Sequence, residues 1–271
     1  DKTLKVLKSV YNKDKEHVRI ISFSRNFGKD AAIYAGLENA RGEYTAIIDA
    51  DMEQNPNYLI SMLALLESKP EIDQVAMKIK KRKAGSFIKR FGSKTFYKLI
   101  NILSDVKFAE DASDFRMFRT NVKNAILEMP EKNRFSKGIF SWVGFKTETM
   151  EYDVGKRSKG KTKFNFIKSV KYALDGIVGF SVKPLRLATI FGSITSLAGF
   201  VYLVYVIIKT MILGADAPGF ATIVCLILFI GGIQLISIGI LGEYISKVFV
   251  ETKERPIYIA KERIGFEEEI L

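Results

Sequence analysis

The sequence predicts an α/β domain followed by two membrane-spanning helices. Strand-like and helix-like segments alternate through residues 1–186, a pattern typical of a mostly parallel sheet covered by helices. Two uncharged apolar stretches follow, Leu187–Ile208 and Phe220–Gly242, and each exceeds the roughly 20 residues that a helix needs to cross a bilayer. The alternative, a pair of buried core helices, is disfavoured by the length of these stretches and by their lack of charge.

The strands and helices of the soluble region can be assigned in chain order. Val18–Phe23 is a short β-branched run and predicts a buried strand. A helix is expected over Ala31–Ala40, and Tyr44–Ile48 predicts a second strand. The next helix is expected over Pro56–Ser68, because proline suits a first helical turn. Ligands of such sheets bind at the carboxyl ends of strands, so the residues that follow the second strand are candidates for a site.

The net charge of +12 indicates an anionic partner, either nucleic acid or an anionic membrane. The two apolar stretches favour the membrane, and we expect no nucleic-acid partner. Basic residues precede the first stretch and follow the second, whereas the connecting loop 214–219 carries only Asp216. The positive-inside rule then predicts a two-span protein of the cell membrane, with the α/β domain and the C-terminus in the cytoplasm.

Two further segments have the pattern of helices that lie on a membrane surface. Lys78–Lys98 contains nine Lys or Arg and no acidic residue, with apolar side chains near helical spacing. The alternative is a solvated helix whose apolar face packs on its own domain. Phe164–Lys183 has an apolar face and leads directly into the first span, which predicts an interfacial helix.

Two carboxylates that directly follow the second strand are the strongest chemical signal. Asp49 and Asp51, separated by one residue at a strand end, can converge on one hard cation such as Mg²⁺ or Mn²⁺. A cation in that position could also stabilise a diphosphate leaving group. His17 is the single histidine, so a histidine-built metal or catalytic site is excluded.

A series of short motifs runs along the chain, and its members are Ser24–Lys29, Ala32 and Gly36, Ala40–Tyr44, Asp49–Asp51, Asp114–Met117, Trp142–Phe145 and Arg157–Phe164. In this order they resemble the motifs of family 2 glycosyltransferases, which have the GT-A fold. The resemblance is strongest to the polyprenyl-phosphate glycosyltransferases, a group that includes dolichol-phosphate mannose synthases and bactoprenol glucosyltransferases. It covers nearly the whole chain and ends in the two-span hairpin.

The resemblance implies inverting transfer of a hexose, with glucose the first candidate, from a UDP- or GDP-sugar to a polyprenyl phosphate such as undecaprenyl phosphate. Asp114 matches the position of the catalytic base or acceptor site, and Asp51 would act in catalysis through the metal. The metal ligands would be Asp51, Asp49 and Glu53. The donor would contact Asp49, Glu53, Arg25, Gly28 and Lys29, and phosphate or acceptor groups would contact Arg116, Arg157, Lys163 and Arg90.

The sequence departs from the family pattern in two places. The family begins with a strand and an Asp-Asp-Gly-Ser loop that holds the nucleotide, whereas Asp1–Leu4 resemble the residues that follow this loop. We therefore expect the first strand and the nucleotide loop to be missing from a predicted catalytic domain over residues 1–163. The family often has Gln where this chain has Glu53.

The remaining predicted segments are a juxtamembrane amphipathic helix at 164–186, membrane helices at 187–213 and 220–243, and a cytoplasmic tail at 244–271. Small residues in the spans would permit close helix packing, and the family suggests a homo-oligomer. Two other functions stay open. A processive polysaccharide synthase shares the fold but would carry a Gln-x-x-Arg-Trp motif, and Trp142 lacks its partners. A non-catalytic membrane scaffold is supported only by the missing nucleotide loop.

Overall fold

A computed structural model of the chain describes residues 2–80, 112–129, 131–153, 175–214 and 219–266. The chain divides into two compact units. One, the catalytic unit, holds residues 1–90, 108–163 and 253–271; the other, the membrane unit, holds residues 91–107 and 164–252. The predicted class, an α/β domain with a C-terminal pair of long apolar helices, is confirmed.

The catalytic unit contains five described helices and six strands. Its helices are α1 (Thr3–Lys13), α2 (Lys29–Glu38), α3 (Tyr58–Ser68), α4 (Thr120–Leu127) and α5 (Ser136–Trp142). Its strands are β1 (Ile20–Phe23), β2 (Tyr44–Ile47), β3 (Gln74–Ile79), β4 (Ala112–Arg119), β5 (Thr147–Tyr152) and β6 (Ala260–Ile264). The first two predicted strands and helices are therefore present, with ends that differ by a few residues.

The main sheet is mixed, so the prediction of a mostly parallel sheet was wrong for the described strands. Its order is β2-β4-β3-β5, and only β3 and β5 pair in parallel. The cause is β4, which lies between β2 and β3 and runs antiparallel to both. As a result, β4 begins at the edge of the sheet where β2 and β3 end.

The main sheet has a tightly packed apolar core. Met62 and Leu66 of α3 pack against alternate residues of β3 and β4, among them Phe115, and these side chains are almost completely buried. On the opposite face of β4, Phe118 packs against Phe140 of α5 with ring centroids 6.4 Å apart. Helices on both faces fix the position of β4, and therefore the positions of the polar residues at its beginning.

The residues after the second long helix return to the catalytic unit. There β6 pairs antiparallel with β1, from Ile20 opposite Ile264 to Phe23 opposite Ala260. The ring of Tyr258 stacks on Phe23 with centroids 4.9 Å apart, and its hydroxyl donates to Glu38 at 2.5 Å. A β-strand lies where the sequence predicted only a tail.

The membrane unit contains two long helices, α6 (Lys183–Leu213) and α7 (Phe220–Thr252). Both are long and apolar enough to cross a bilayer. Large apolar side chains such as Leu197 and Leu235 are exposed along them, as expected of surfaces that contact lipid rather than water. The chain is therefore membrane-associated. α6 begins before the predicted first span, and α7 continues past the predicted end of the second.

Candidate functional site

The pairing of β2 with β4 brings two carboxylates together at one edge of the main sheet. Ile47 lies opposite Arg116 in the antiparallel register. Continuing that register beyond β2 places Asp49 opposite Asp114. The side chains agree with this placement, because one ammonium group, that of Lys29, contacts Asp49 at 2.8 Å and Asp114 at 2.8 Å. These three residues form the centre of the candidate active site.

Lys29 reaches this edge because it is the first residue of α2. The preceding Gly28 has φ +94, a backbone conformation that favours glycine, and its N–H donates to Asn26 Oδ1 at 2.9 Å. Burial alone would lower the pKa of the Lys29 ammonium, but hydrogen bonds to Asp114 and Asp49 outweigh it and raise that pKa above its usual range. Lys29 is therefore a cation throughout the physiological range.

Gln54 binds the other side of Asp49 and connects β2 to β4. Its Oε1 accepts the backbone N–H of Asp49 at 2.7 Å, and its Nε2 donates to the Asp49 carboxylate at 3.2 Å. The same Nε2 lies 3.4 Å from Ser113 Oγ, directly before Asp114 in the chain. Gln54 is 5% exposed, so this amide is a buried link between the ends of the two strands.

The predicted metal ligands Asp51 and Glu53 form a tight turn after β2. Met52 between them has φ 67, and the N–H of Glu53 donates to Asp51 Oδ1 at 3.1 Å. Burial raises the pKa of the Tyr152 phenol, and the negative charges of Glu53, Asp49 and Asp51 raise it further. The three carboxylates therefore create a negative potential that favours a cation.

The carboxylates of Asp49 and Asp51 are ligands of the type that a hard divalent cation prefers, and a substrate would have to supply further ligands. No ready-made group of three metal-binding side chains occurs within the described ranges. Mg²⁺ is often bound through one or two carboxylates together with substrate phosphates, and Asp49 and Asp51 are two carboxylates of this kind after β2. Asp114 Oδ1 is buried and has no hydrogen-bond partner in the described part of the chain, so an acceptor oxygen lies unused nearby.

Arg116, a predicted phosphate contact, is buried within the catalytic unit. It is 5% exposed, its guanidinium carbon lies 3.9 Å from the centre of the Phe140 ring, and it donates to Gln74 Oε1 and to the Ser113 carbonyl at 3.4 Å each. Burial lowers the pKa of Arg116 to about 10, while the charge of Asp114 opposes that shift. Arg116, two positions after Asp114 on β4, therefore packs against α5.

The remaining predicted site residues fall into two groups. Arg25 is exposed, with its guanidinium carbon 4.3 Å from the centre of the Phe27 ring. Arg90, Arg157 and Lys163 lie outside the described residues, as do most of the basic segment Lys78–Lys98 and residues 164–174.

Sequence reasoning missed three members of the site. Gln54 and Ser113 link the two strand ends, and Tyr152 at the end of β5 hydrogen-bonds Ser113. The available signal was the position of Ser113, directly before Asp114 in the chain, but nothing in the sequence gives the pairing partner of β4.

Comparisons with known proteins agree with this architecture. Residues 1–127 match the model of the family "Glycosyl transferase family 2", and residues 183–248 match the "GtrB C-terminal hairpin". An uncharacterized glycosyltransferase of Synechocystis is 39% identical over 98% of this chain and 83% of its own length. A putative glycosyltransferase of Bacillus subtilis, CsbB, is 41% identical over 90% of this chain and 74% of its own. A prophage bactoprenol glucosyl transferase homolog of Escherichia coli is 43% identical over 89% of this chain and 78% of its own.

Proposed function

Because the chain belongs to the family 2 glycosyltransferases, we propose that it transfers a hexose from a nucleotide-sugar to polyprenyl phosphate. The observation that carries this proposal is that the carboxylates of Asp49 and Asp114 both contact the Lys29 ammonium, in a chain that also has a membrane hairpin. The relatives named bactoprenol glucosyl transferases support a polyprenyl acceptor and make glucose the first sugar to test.

The proposed reaction is a single in-line displacement that inverts the anomeric carbon. An oxygen of the polyprenyl phosphate forms the new bond to that carbon, and the bond to the nucleoside diphosphate breaks with its electron pair on the leaving oxygen. The product is a lipid-linked sugar phosphate for glycosylation of the cell envelope. Mg²⁺ or Mn²⁺ held by Asp49 and Asp51, with Glu53 beside them, would neutralise charge on the leaving diphosphate.

Within this reaction the described residues have separate tasks. Gln54 fixes Asp49 for the donor side, because it accepts a hydrogen bond from the Asp49 backbone N–H and donates one to the Asp49 carboxylate. Asp114 faces the acceptor side and orients the acceptor phosphate. This phosphate is already largely a dianion near neutral pH, so it needs orientation more than deprotonation. Arg116 supports the strand from within, through its contacts with Phe140 and Gln74.

The membrane hairpin would hold the site where the lipid phosphate is found. The basic residues around the two spans support an orientation in which both termini and the reaction are at the cytoplasmic face, with loop 214–219 on the other side. The basic segment Lys78–Lys98 would bind anionic lipids. Small residues such as Gly192, Ser196 and Gly199 on α6 would allow the helices of several copies to pack as a homo-oligomer.

The test uses the full chain in lipid nanodiscs, incubated with undecaprenyl phosphate and Mg²⁺ or Mn²⁺. Separate reactions receive UDP-glucose, UDP-N-acetylglucosamine or GDP-mannose, and mass spectrometry identifies the lipid product. One sugar added to one lipid phosphate is expected, with UDP-glucose the best donor. A polymeric product would instead indicate a processive synthase, and the absence of any lipid-linked sugar with every donor would contradict the proposal.

A further inference from the structure

We propose that Lys29 is the cation that allows a phosphate to approach Asp114, so that it serves the acceptor side of the site rather than the donor. This inference rests on the proposed function and names a binding residue for the acceptor phosphate. The sequence alone had placed Lys29 among the donor contacts. Three features of its surroundings lead to the different assignment.

The first feature is how the Asp114 carboxylate is held. Its Oδ2 contacts the Lys29 ammonium at 2.8 Å, whereas its Oδ1 is buried and has no hydrogen-bond partner in the described part of the chain. The side chain of Asp114 is 15% exposed. The ion pair with Lys29 therefore sets the orientation of this carboxylate.

The second feature is charge. Asp49 and Asp114 both contact Lys29, so two carboxylates flank one ammonium group. Without Lys29, Asp114 would present an unbalanced negative charge to any phosphate that approached it. Like charges a few ångströms apart at a partly buried site repel strongly, because water screens them poorly there. An acceptor that is itself an anion can approach Asp114 only if a cation stands beside that carboxylate.

The third feature is access. The Lys29 side chain is 48% exposed although it has two carboxylate partners. The Lys29 ammonium has three N–H donors, and three carboxylate oxygens lie around it: Asp49 Oδ1 at 2.8 Å, Asp49 Oδ2 at 2.9 Å and Asp114 Oδ2 at 2.8 Å. Asp49 therefore takes two of the three contacts. A phosphate oxygen that replaces one Asp49 oxygen on the solvent side would let Lys29 contact Asp114 and the phosphate at the same time.

The nature of the ion pairs also argues against a purely structural role. Exposed ion pairs contribute little to the stability of a fold, and Lys29 is nearly half exposed. Lys69 offers a matched comparison within the same unit, because it pairs with Glu148 at 3.4 Å and its side chain is 43% exposed. The two lysines differ in that Lys69 has one carboxylate partner and lies away from Asp114.

The experiment measures direct binding of farnesyl phosphate to the full chain in nanodiscs, with farnesol as the uncharged control ligand. Lys29→Gln is expected to weaken farnesyl phosphate binding at least tenfold and to leave farnesol binding unchanged. Adding Asp114→Asn to Lys29→Gln should restore phosphate affinity to within about threefold of wild type, because the repelling charge is gone. Lys29→Arg, which keeps the charge, should lose less than threefold.

Three controls separate this inference from the alternatives. Lys69→Gln should bind as wild type does, and thermal melting of every variant reports on folding. If Lys29 contacts the donor instead, Lys29→Gln will weaken direct binding of UDP-glucose and leave farnesyl phosphate binding unchanged. That result overturns the inference, and so does a loss of phosphate binding that Asp114→Asn does not rescue. Because the readout is binding, it remains decisive even if the wild type forms no lipid-linked sugar, an outcome that would contradict the proposed function alone.

Discussion

Gln54 holds Asp49 from two directions at once: its side-chain oxygen accepts the Asp49 N–H at 2.7 Å, and its side-chain nitrogen donates to the Asp49 carboxylate at 3.2 Å. A single buried amide therefore fixes both the backbone and the side chain of a residue that ends a strand. It also reaches Ser113, so the same group sets the distance between β2 and the start of β4.

This arrangement predicts different outcomes for two substitutions of similar size. Gln54→Glu keeps the oxygen that accepts from Asp49 but replaces the donor with an oxygen that repels the carboxylate, so kcat/KM should fall by at least about tenfold. Gln54→Met removes both hydrogen bonds without adding charge and should lose less activity than Gln54→Glu. Steady-state kinetics with both substrates would measure the difference. Equal activity in Gln54→Glu and wild type would show that this amide does not orient Asp49.

The metal proposal predicts that Asp51→Ala abolishes transfer and metal-dependent donor binding without unfolding the protein. The carboxylate lies at the turn after β2, next to Glu53, where it can bind a cation without supporting the core. EDTA should mimic the variant, and added Mg²⁺ or Mn²⁺ should restore the wild type only. Activity and melting temperature are the measurements. Transfer that survives in EDTA would remove the metal from the mechanism.

The proposed role of Asp114 predicts parallel pH–rate profiles. Asp114→Asn should lose much of its activity, and raising the pH by two units should not restore it, because the acceptor phosphate, with a second pKa of about 6, is already mostly a dianion. The measurement is kcat against pH for wild type and variant under saturating donor. Profiles that converge at high pH would instead identify Asp114 as a general base.

The buried position of Arg116 predicts that its substitution lowers the stability of the fold more than it weakens binding of polyprenyl phosphate. Arg116→Lys cannot reproduce the planar stacking on Phe140 or the separate bonds to Gln74 and the Ser113 carbonyl, so the melting temperature should fall by several degrees. The KM for polyprenyl phosphate should change by less than about threefold in the folded fraction. A large rise in that KM at unchanged melting temperature would instead show that Arg116 binds the acceptor phosphate.

The charge pattern around the hairpin predicts that loop 214–219 is extracytoplasmic. With Cys225 replaced by serine, a cysteine introduced at Ala217 should react with a membrane-impermeant reagent in intact cells, and a cysteine at Glu267 should react only after permeabilisation. Mass-tag labelling followed by gel electrophoresis would report both positions. The reverse pattern would place the catalytic unit on the outer side.

The sequence predicted the local elements of the fold well and its long-range pairings poorly. The first strand and the apolar spans have local signals, namely a β-branched run for the strand and an uncharged stretch for each span. The direction of β4 has no local signal, because the sequence pattern of Ala112–Arg119 would suit a parallel pair as well as the antiparallel pair that forms. Three findings depend on which strands pair with each other, and sequence reasoning could not find them. They are the approach of Asp114 to Asp49 and Lys29, the burial of Arg116, and the pairing of β6 with β1.

The pairing of β6 with β1 has a consequence for how the protein is made. Residues 260–264 complete a sheet with residues 20–23, yet both long apolar helices lie between them in the chain. On the ribosome, β6 is synthesised only after both helices, so its pairing with β1 cannot form before then. The catalytic unit therefore cannot finish folding until translation has passed the hairpin, so maturation of the enzyme follows synthesis of the segment that anchors it.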